Sequence, residues 1–310
     1  MGADHSEHTM TTGFIGLGVM GAAMARNLTI RSPHDVLVFD RDAQATTSVV
    51  EVGAVQVNSV VDLVSQSDIV HTCLPGGPQL EEVFAGPGGV LTSTLEGKLF
   101  IDHTTAPVDL TRRLAASIEA AGGDYCDAPV ARTRQAAVDG TLAIMVGGSA
   151  DAVRRAQPNL ECMGTDISHV GGVGAGQLTK LLNNMVLFQN VRALAEAYSI
   201  ATGLAGDNNG DESFDFDIDE VFATIAKASG GSFALNNHAT RSILPGEFPT
   251  NAFSTTYALK DLSYALELAQ QAGVDAIGAS TTYELMSQAQ AKGYGDEYFP
   301  VMARLLAPDS

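Results

Sequence analysis

Lysine is scarce in this chain of 310 residues. There are five, at positions 98, 180, 227, 260 and 292, and Lys plus Arg number 17 against 36 Asp plus Glu, a formal net charge of −19. A protein that grips nucleic acid needs clustered Lys and Arg against phosphates, so nucleic acid is excluded as a partner. Such an acid excess suits a salt-rich or acid-tolerant cytoplasm. Cysteine is equally sparse. Cys73, Cys126 and Cys162 are an odd, unclustered set with no C-x-x-C, which excludes a disulfide framework and gives no zinc signature. No His/Asp/Glu cluster suggests another metal, so none is expected. No uninterrupted apolar run approaches the roughly 18 residues of a membrane span. The first twelve residues, MGADHSEHTMTT, are polar and acidic rather than a secretory leader. Residues 1–11 read as a flexible tail, with Met10 as an alternative start, and the compartment expected is a reduced cytoplasm.

What is present is a globular chain. A hydrophobic content of 45% excludes disorder, and the length suggests about two domains. A chain of this size buries about three quarters of its unfolded surface without disulfides. In the first half, short apolar runs alternate with helix-like stretches: 12–17, 36–40, 69–74, 99–103, 125–130 and 143–146 read as strands. Near-continuous apolar strands fit a parallel sheet covered on both faces. Between them, Leu110, Leu114 and Ile118 share one helix face, and Pro107 stands just upstream of the start. The repeated strand–helix alternation defines an α/β fold, an N-terminal Rossmann doubly wound sheet over 12–172.

The pattern changes after 172. From Gly174 to Thr202 there is no proline, and Gly203 is a candidate stop. If helical throughout, this stretch is about 43 Å long. Further helices are expected at 221–227, 257–272 and 280–292, and no strand, so residues 173–310 read as an all-α substrate and dimerisation domain. The segment 207–220 (DNNGDESFDFDIDE) holds seven acids in fourteen residues. A calcium loop counted from Asp207 would need Gly at its sixth place and Glu at its twelfth. These are Glu212 and Ile218, so the run reads as a solvated loop.

Gly16, Gly18 and Gly21 form GLGVMG, directly after the first strand. The first glycine allows a tight turn and the second a close backbone approach to a pyrophosphate. The third lets helix pack on strand, and the helix N-terminus presents free N–H groups to the phosphates. A second strand ends in Asp40, 19 residues after Gly21. A carboxylate there accepts ribose hydroxyls and repels a 2′-phosphate, which favours NAD. Arg41 next door could offset the repulsion, leaving NADP as the alternative.

Lys180, Asn183 and Asn184 fall at i, i+3 and i+4 on the long helix. An ammonium and two amides amid Leu and Val are costly to bury unless they bind something. Either they form a helix–helix polar contact or they form a site. As a site, the ammonium would polarise and protonate a carbonyl oxygen receiving hydride, and the neutral amine would take the hydroxyl proton in reverse. A lysine does this best with its pKa brought towards neutrality. Asn184 would anchor substrate and lysine, and Asn183 the substrate's polar tail.

The stretch 14–28, FIGLGVMGAAMARNL, resembles the N-terminal signature of the 3-hydroxyisobutyrate dehydrogenase (β-hydroxyacid dehydrogenase) family. Leu74-Pro75 is similar to that family's Leu-Pro loop, and Ile101-Asp102-His103-Thr104-Thr105-Ala106-Pro107 to its I-D-x-S-T-x-x-P. Asp127-Ala128-Pro129-Val130, then Gly140-Thr141-Leu142, are similar to the next block. Lys180-Leu181-Leu182-Asn183-Asn184 resembles K-x-x-N-N, and Phe253 with Lys260-Asp261 resembles F-x(6)-K-D. The resemblance runs in order from about 12 to 300. It implies that Val19 and Met20 lie against the cofactor phosphates and Asp40 on the ribose. It further implies that Leu74, Pro75 and Thr105 line the cofactor cleft and that Lys260 reaches it from the second domain. Lys180 is then the catalytic residue, in a site between the domains. Thr104, Arg132, Thr133, Asn183 and Asn184 are assigned to substrate, and a homodimer or homotetramer is implied.

One departure follows Val130, where most of the family continues Ser-Gly-Gly and this chain has Ala131-Arg132-Thr133. An arginine there resembles the sulfolactaldehyde reductase branch, where it meets a sulfonate. The alternatives are an Arg turned to solvent or paired with Asp139. Leu187 stands where that branch offers a hydroxyl, so a carboxylate aldehyde stays open. His103 reads as structural, and His169 begins no constellation. The activity expected is an NAD-dependent oxidoreductase interconverting a small anionic 3-hydroxy acid, or hydroxy sulfonate, and its aldehyde. The substrates considered besides sulfolactaldehyde are 3-hydroxyisobutyrate and the tartronate and succinic semialdehydes. An imine reductase and a non-catalytic dinucleotide-binding scaffold are the other classes.

Overall fold

The structure, a computed structural model, describes residues 10–205, 216–250 and 252–307. It divides into two compact units, one ending at Lys180 and the other beginning at Leu181. The first runs β1 (Thr11–Ile15), α1 (Gly21–Arg31), β2 (Asp35–Phe39), α2 (Thr47–Val50), β3 (Val55–Gln56), α3 (Val60–Gln66) and β4 (Ile69–Thr72). It continues through α4 (Gly77–Ala85), β5 (Leu99–Asp102), α5 (Val108–Ala120), β6 (Asp124–Asp127), β7 (Val130–Ala131), α6 (Arg134–Asp139), β8 (Leu142–Gly147), α7 (Ala150–Glu161) and β9 (Gly164–Gly171). Strand order is β3-β2-β1-β4-β5-β6-β8-β7, with β9 on β8.

The first six strands of that order are parallel, which is the doubly wound arrangement. Their side chains alternate between two buried layers. Phe14, Val38, Ile69, Ile101 and Cys126 face the layer closed by Met24 and Leu28 of α1 and Ala156 and Leu160 of α7. Their neighbours Ile15, Leu37, Val70, Phe100 and Tyr125 face Leu80 and Phe84 of α4 and Leu110, Leu114 and Ile118 of α5. With both faces covered, β2, β4 and β5 read as near-continuous apolar runs.

Where the sheet is not covered on both faces, the expectation fails. β8 is antiparallel to β6 and β7, and β9, which the hydropathy did not suggest, runs parallel to β8. β9 (GTDISHVG) is largely exposed and polar, so it carries no apolar signal. The long helix α8 (Ala175–Ala205) contains 31 residues and passes through Gly203 rather than stopping there. A mid-helix glycine costs only about 1 kcal/mol relative to alanine, and the next proline is as far off as Pro245.

The second unit continues α8 and adds α9 (Ile218–Lys227), a wide π-type turn at Leu235–Ile243, α10 (Thr255–Gln271) and α11 (Ile277–Ala289). It has no strand among the described residues, only a bridge between Ser254 and Tyr298. Phe188, Phe253 and Phe299 form its aromatic centre, with ring centroids 5.0–5.9 Å apart. Of the acidic run, residues 207–215 lie outside the described residues, as do residues 1–9 of the expected tail. Asp217 caps α9, accepting from the Asp219 and Glu220 amides, and Thr11 already belongs to β1. No described helix is long and apolar enough to cross a membrane.

One polar chain runs through the first layer. His71 Nδ1 lies 2.9 Å from His103 Nε2, and His103 Nδ1 lies 2.8 Å from the Ala128 carbonyl oxygen. Asn159 Nδ2 reaches both His71 Nε2 (3.1 Å) and Thr12 Oγ1 (3.2 Å). Only one tautomer pattern satisfies it: each histidine donates from Nδ1 and accepts at Nε2. The rings stack with Phe14. Burial holds His71 well below its ordinary 6.5 and His103 down at about 4. His103 is thus structural in this fold, a satisfied core histidine.

Because both imidazoles are neutral when folded and charge when unfolded, their contribution is complete above about 6.5 and is lost as pH falls towards 4. Asp102, raised to about 6 by burial, acts with the opposite sign, so a difference measurement is needed. The stability advantage of the wild type over a His71→Leu/His103→Leu variant is expected to narrow from pH 7 to pH 4.5 in urea unfolding. A constant difference would mean that the pair is not buried neutral.

Candidate active site

The glycine loop crosses the end of β1. Gly16 has φ +92°, and an added Cβ would lie 2.4 Å from the Cys73 carbonyl oxygen. Its N–H donates to the Phe39 carbonyl at 3.0 Å, tying the turn to β2. A Cβ on Gly21 would meet the Gly16 carbonyl oxygen at 2.0 Å, whereas one on Gly18 would meet nothing within 4 Å. The first and third glycines are therefore demanded by the fold, and the second leaves the backbone open to an incoming group. β1 and β4 flank the point where strand order reverses, the crevice where dinucleotides bind in open α/β sheets. Val19 is exposed and Met20 half-buried at the start of α1.

Asp40 follows β2. Its Oδ2 accepts the Leu17 amide at 2.7 Å and its Oδ1 the Asp42 amide at 2.9 Å, so the carboxylate is fixed beside the glycine loop. Arg41 stands 3.8 Å from Glu82, both well exposed.

The next two loops are tied together. Thr104 Oγ1 accepts the Leu74 amide at 3.0 Å, and the Thr104 amide donates to Asp102 Oδ1 at 3.0 Å. Asp102 also accepts from Thr72 and Tyr125 hydroxyls. Thr104 is only 1% exposed, so in this structure the hydroxyl expected on substrate braces the Leu74-Pro75 loop. Pro75 is exposed, and Thr105 is half-buried.

β6 delivers Asp127, fully buried, to the start of α8. Its Oδ1 accepts the Gly174 amide at 2.7 Å and its Oδ2 the Gln177 amide at 2.8 Å. Burial raises its pKa, against the opposing effect of these backbone bonds. The Gln177 side chain then bonds back to the loop after β5: Oε1 accepts from the Ala106 amide (3.1 Å) and Nε2 donates to the Thr104 carbonyl (2.5 Å). Sequence reasoning gave neither residue a role. Gln177 lies one turn before Lys180 on the same face, a spacing that could have marked it.

Lys180 is half-buried on α8. Further along the helix, exposed Asn183 donates to Asn184 Oδ1 at 3.1 Å, and buried Asn184 donates to Asp261 Oδ2 at 2.8 Å. Lys260 Nζ is 3.0 Å from Asp261 Oδ1 and lies over the Tyr257 and Tyr264 rings at 5.9 and 5.4 Å. Asn184 is thus an inner support for Asn183, and Lys260 sits in a local ion pair.

Arg132 and Thr133 follow β7. The Thr133 hydroxyl caps α6, accepting from the Ala136 amide at 3.4 Å. Arg132 donates to the Thr141 carbonyl (2.6 Å), to Thr165 Oγ1 (3.3 Å) and to the Asp166 carboxylate. Its ion-pair partner is therefore Asp166 and not Asp139, whose carbonyl takes Arg31 and whose carboxylate takes Gln135. Arg132 has φ +86°, the left-handed region.

These residues fit a nicotinamide dinucleotide. The open Gly18 position leaves room for a pyrophosphate, with Val19 and Met20 just before α1, and the Asp40 carboxylate is tied beside the glycine loop through the Leu17 amide. Fold and loop together define a dinucleotide-binding α/β protein.

Residues 11–172 match the family described as the NAD binding domain of 6-phosphogluconate dehydrogenase, and residues 174–306 that described as NAD-binding of NADP-dependent 3-hydroxyisobutyrate dehydrogenase. The chain is 34% identical over 293 residues to 2-(hydroxymethyl)glutarate dehydrogenase of Eubacterium barkeri, covering 94% of this chain and 93% of that protein. It is 34% identical over 286 residues to 3-sulfolactaldehyde reductase of Escherichia coli (strain K12), covering 91% of each. The solved structure of Mycobacterium tuberculosis 3-hydroxyisobutyrate dehydrogenase with L-serine is 31% identical, with a TM-score of 0.84 over 96% of this chain and 99% of that one. The chain belongs to the 3-hydroxyisobutyrate dehydrogenase family.

The glycine geometry separates two roles. Gly18→Ala is expected to leave the melting temperature within about 2 °C while weakening NADH binding by about tenfold or more, read by fluorescence titration. Gly21→Ala must push α1 from β1 and is expected to lower it by about 5 °C or more. An alanine at 18 that binds NADH as tightly as the wild type would show that this position does not face the dinucleotide.

Proposed function

We propose that this protein interconverts a short 3-hydroxy carboxylate and its aldehyde, with Lys180 as general acid and base and NAD preferred over NADP. The observation that carries the reading is the placement of the Lys180 helix. Asp127 anchors its first turn to the end of β6, and β6 is parallel to β1 within the sheet, so the anchor lies at the edge that carries the glycine loop.

NAD(P) supplies the hydride acceptor or donor. In reduction, the Lys180 ammonium lies against the carbonyl oxygen, stabilises the charge growing there and gives it a proton. In oxidation, the amine receives the hydroxyl proton. Asn183 presents its amide to the substrate, held in place by Asn184, which Asp261 orients in turn. The NAD preference is supported by the fixed Asp40 carboxylate and by Glu82 beside Arg41. A homo-oligomer is proposed on family membership, and a cytoplasmic location on the free thiols.

The names of the relatives span carboxylate and sulfonate substrates. The carboxylate reading is supported by the charge of Arg132 already being matched by Asp166. The sulfonate reading has one observation in its favour: a non-glycine residue in left-handed backbone marks strain of the kind concentrated at functional sites.

Lys180→Ala is expected to lower kcat by about a thousandfold or more with NADH affinity within threefold; retained turnover would sink the mechanism. A panel of sulfolactaldehyde, succinic, tartronate and methylmalonate semialdehydes, with a cyclic imine as control, decides the substrate. The expected result is highest kcat/KM on a carboxylate aldehyde with NADH, and an Arg132→Ala effect that does not single out the sulfonate. Preference for sulfolactaldehyde with a selective loss in Arg132→Ala would establish the second reading instead.

A further inference from the structure

We infer that Gln177 is a positioning residue for the reaction: its side-chain amide fixes the first turn of α8, and with it Lys180, against the two loops that border the dinucleotide crevice. The inference rests on the proposed role of Lys180 and deepens it. Gln177 is fully buried, and its amide is satisfied at both ends by one short loop, at the Ala106 amide and the Thr104 carbonyl. Its own backbone amide is held by Asp127. Thr104 passes the restraint on to the Leu74 amide. A continuous set of hydrogen bonds thus runs from β6, through the start of α8, to the loops after β5 and β4. Every group in it is buried or half-buried, where a hydrogen bond is strong and an orphaned partner is costly.

A glutamine is suited to this place and a leucine or methionine is not. The loop offers one N–H and one C=O to the same side chain, and an amide supplies an acceptor and a donor side by side without charge at any pH, whereas a carboxyl group does so only while protonated. Lys180 follows one turn later, so a tilt or slip of the first turn moves its ammonium directly. Misplacement of about 1 Å can cost a hundredfold in rate while leaving the fold intact.

The test uses the full chain with Gln177→Met, which removes both bonds at similar length, and Gln177→Glu. Hydrogen exchange needs no substrate: in Gln177→Met, exchange at the Ala106 amide and over residues 175–180 is expected to accelerate at least about tenfold, while β1, β4 and β5 keep wild-type protection. With the aldehyde that the wild type turns over best, kcat is expected to fall about a hundredfold, KM for NADH to stay within threefold, and the midpoint of the kcat–pH profile to move. Gln177→Glu carries the same chemistry in switchable form. Protonated, it can donate to Thr104 and accept from Ala106; ionised, it opposes the carbonyl. Its kcat relative to wild type is therefore expected to rise as pH is lowered. Should Gln177→Met fail to fold, this second variant decides alone.

Wild-type kcat and pH profile in Gln177→Met, or a Gln177→Glu ratio flat with pH, overturns the inference. A rise in exchange spread evenly over the sheet also overturns it, showing a general stability role. Turnover retained in Lys180→Ala overturns the lysine reading itself. An inactive Lys180→Ala beside a wild-type Gln177→Met overturns only the inference about Gln177.

Discussion

Asp127 is a carboxylate with no exposure to water, and ionised carboxylates are expensive to bury unless every oxygen is answered. Here each oxygen takes a backbone N–H from the start of α8. These are donors that a helix leaves unpaired, and the positive end of the helix dipole adds attraction of about 0.3–1 kcal/mol. Two glycines make the approach feasible. A Cβ on Gly147 would lie 2.5 Å from Asp127 Oδ1, and one on Gly176 would lie 2.4 Å from the Met145 carbonyl oxygen. The carboxylate needs the helix and the helix start needs the carboxylate. The first turn of α8 is thereby seated at a fixed point of the sheet, and the placement of Lys180 depends on that seat.

The glycine loop is built on steric demands instead of charge. Gly16 and Gly21 are pressed against Cys73 and against each other, so the turn after β1 has little freedom. Asp40 then ties the same turn from β2 through the Leu17 amide. Thr104 and Asp102 do the equivalent for the Leu74 loop. Each loop near the switch point is held by a side chain from a neighbouring strand or the loop after it. Such cross-bracing keeps a binding crevice in shape when its walls are loops.

Features set by local spacing were legible in the sequence. The glycine loop, the period of α5 and the positions of Lys180, Asn183 and Asn184 on one helix all lie within a few residues of the pattern that reveals them, and the alternation of strands and helices marked the doubly wound sheet. Partners far apart in sequence were not legible. Asp127 meets Gly174 across 47 positions, Gln177 meets Thr104 across 73, and Asn159 meets Thr12 across 147. Hydropathy also fails for β9, whose exposed polar residues make it a strand through pairing with β8 alone. Thr104 shows the same limit in reverse: the motif marks it as important, and only the fold shows its hydroxyl turned to a backbone amide.

Arg132 combines both kinds of information. The family resemblance puts a glycine at this position, and φ of +86° explains why. An L-residue in that conformation costs about 1–2 kcal/mol. An exposed ion pair alone returns about 0–1 kcal/mol, which does not cover that cost. The additional bond from the guanidinium to the Thr141 carbonyl contributes about 1.5–3 kcal/mol as a charge-assisted contact, and together the two are large enough. The side chain thus stabilises the backbone that strains it, joining the turn after β7 to Thr141, just before β8, and to Asp166 on β9. An arginine released to meet a substrate anion would leave Asp166 and Thr141 behind and expose the strain. Any selectivity it confers must therefore come from an anion that binds the guanidinium in place or outcompetes Asp166 for it.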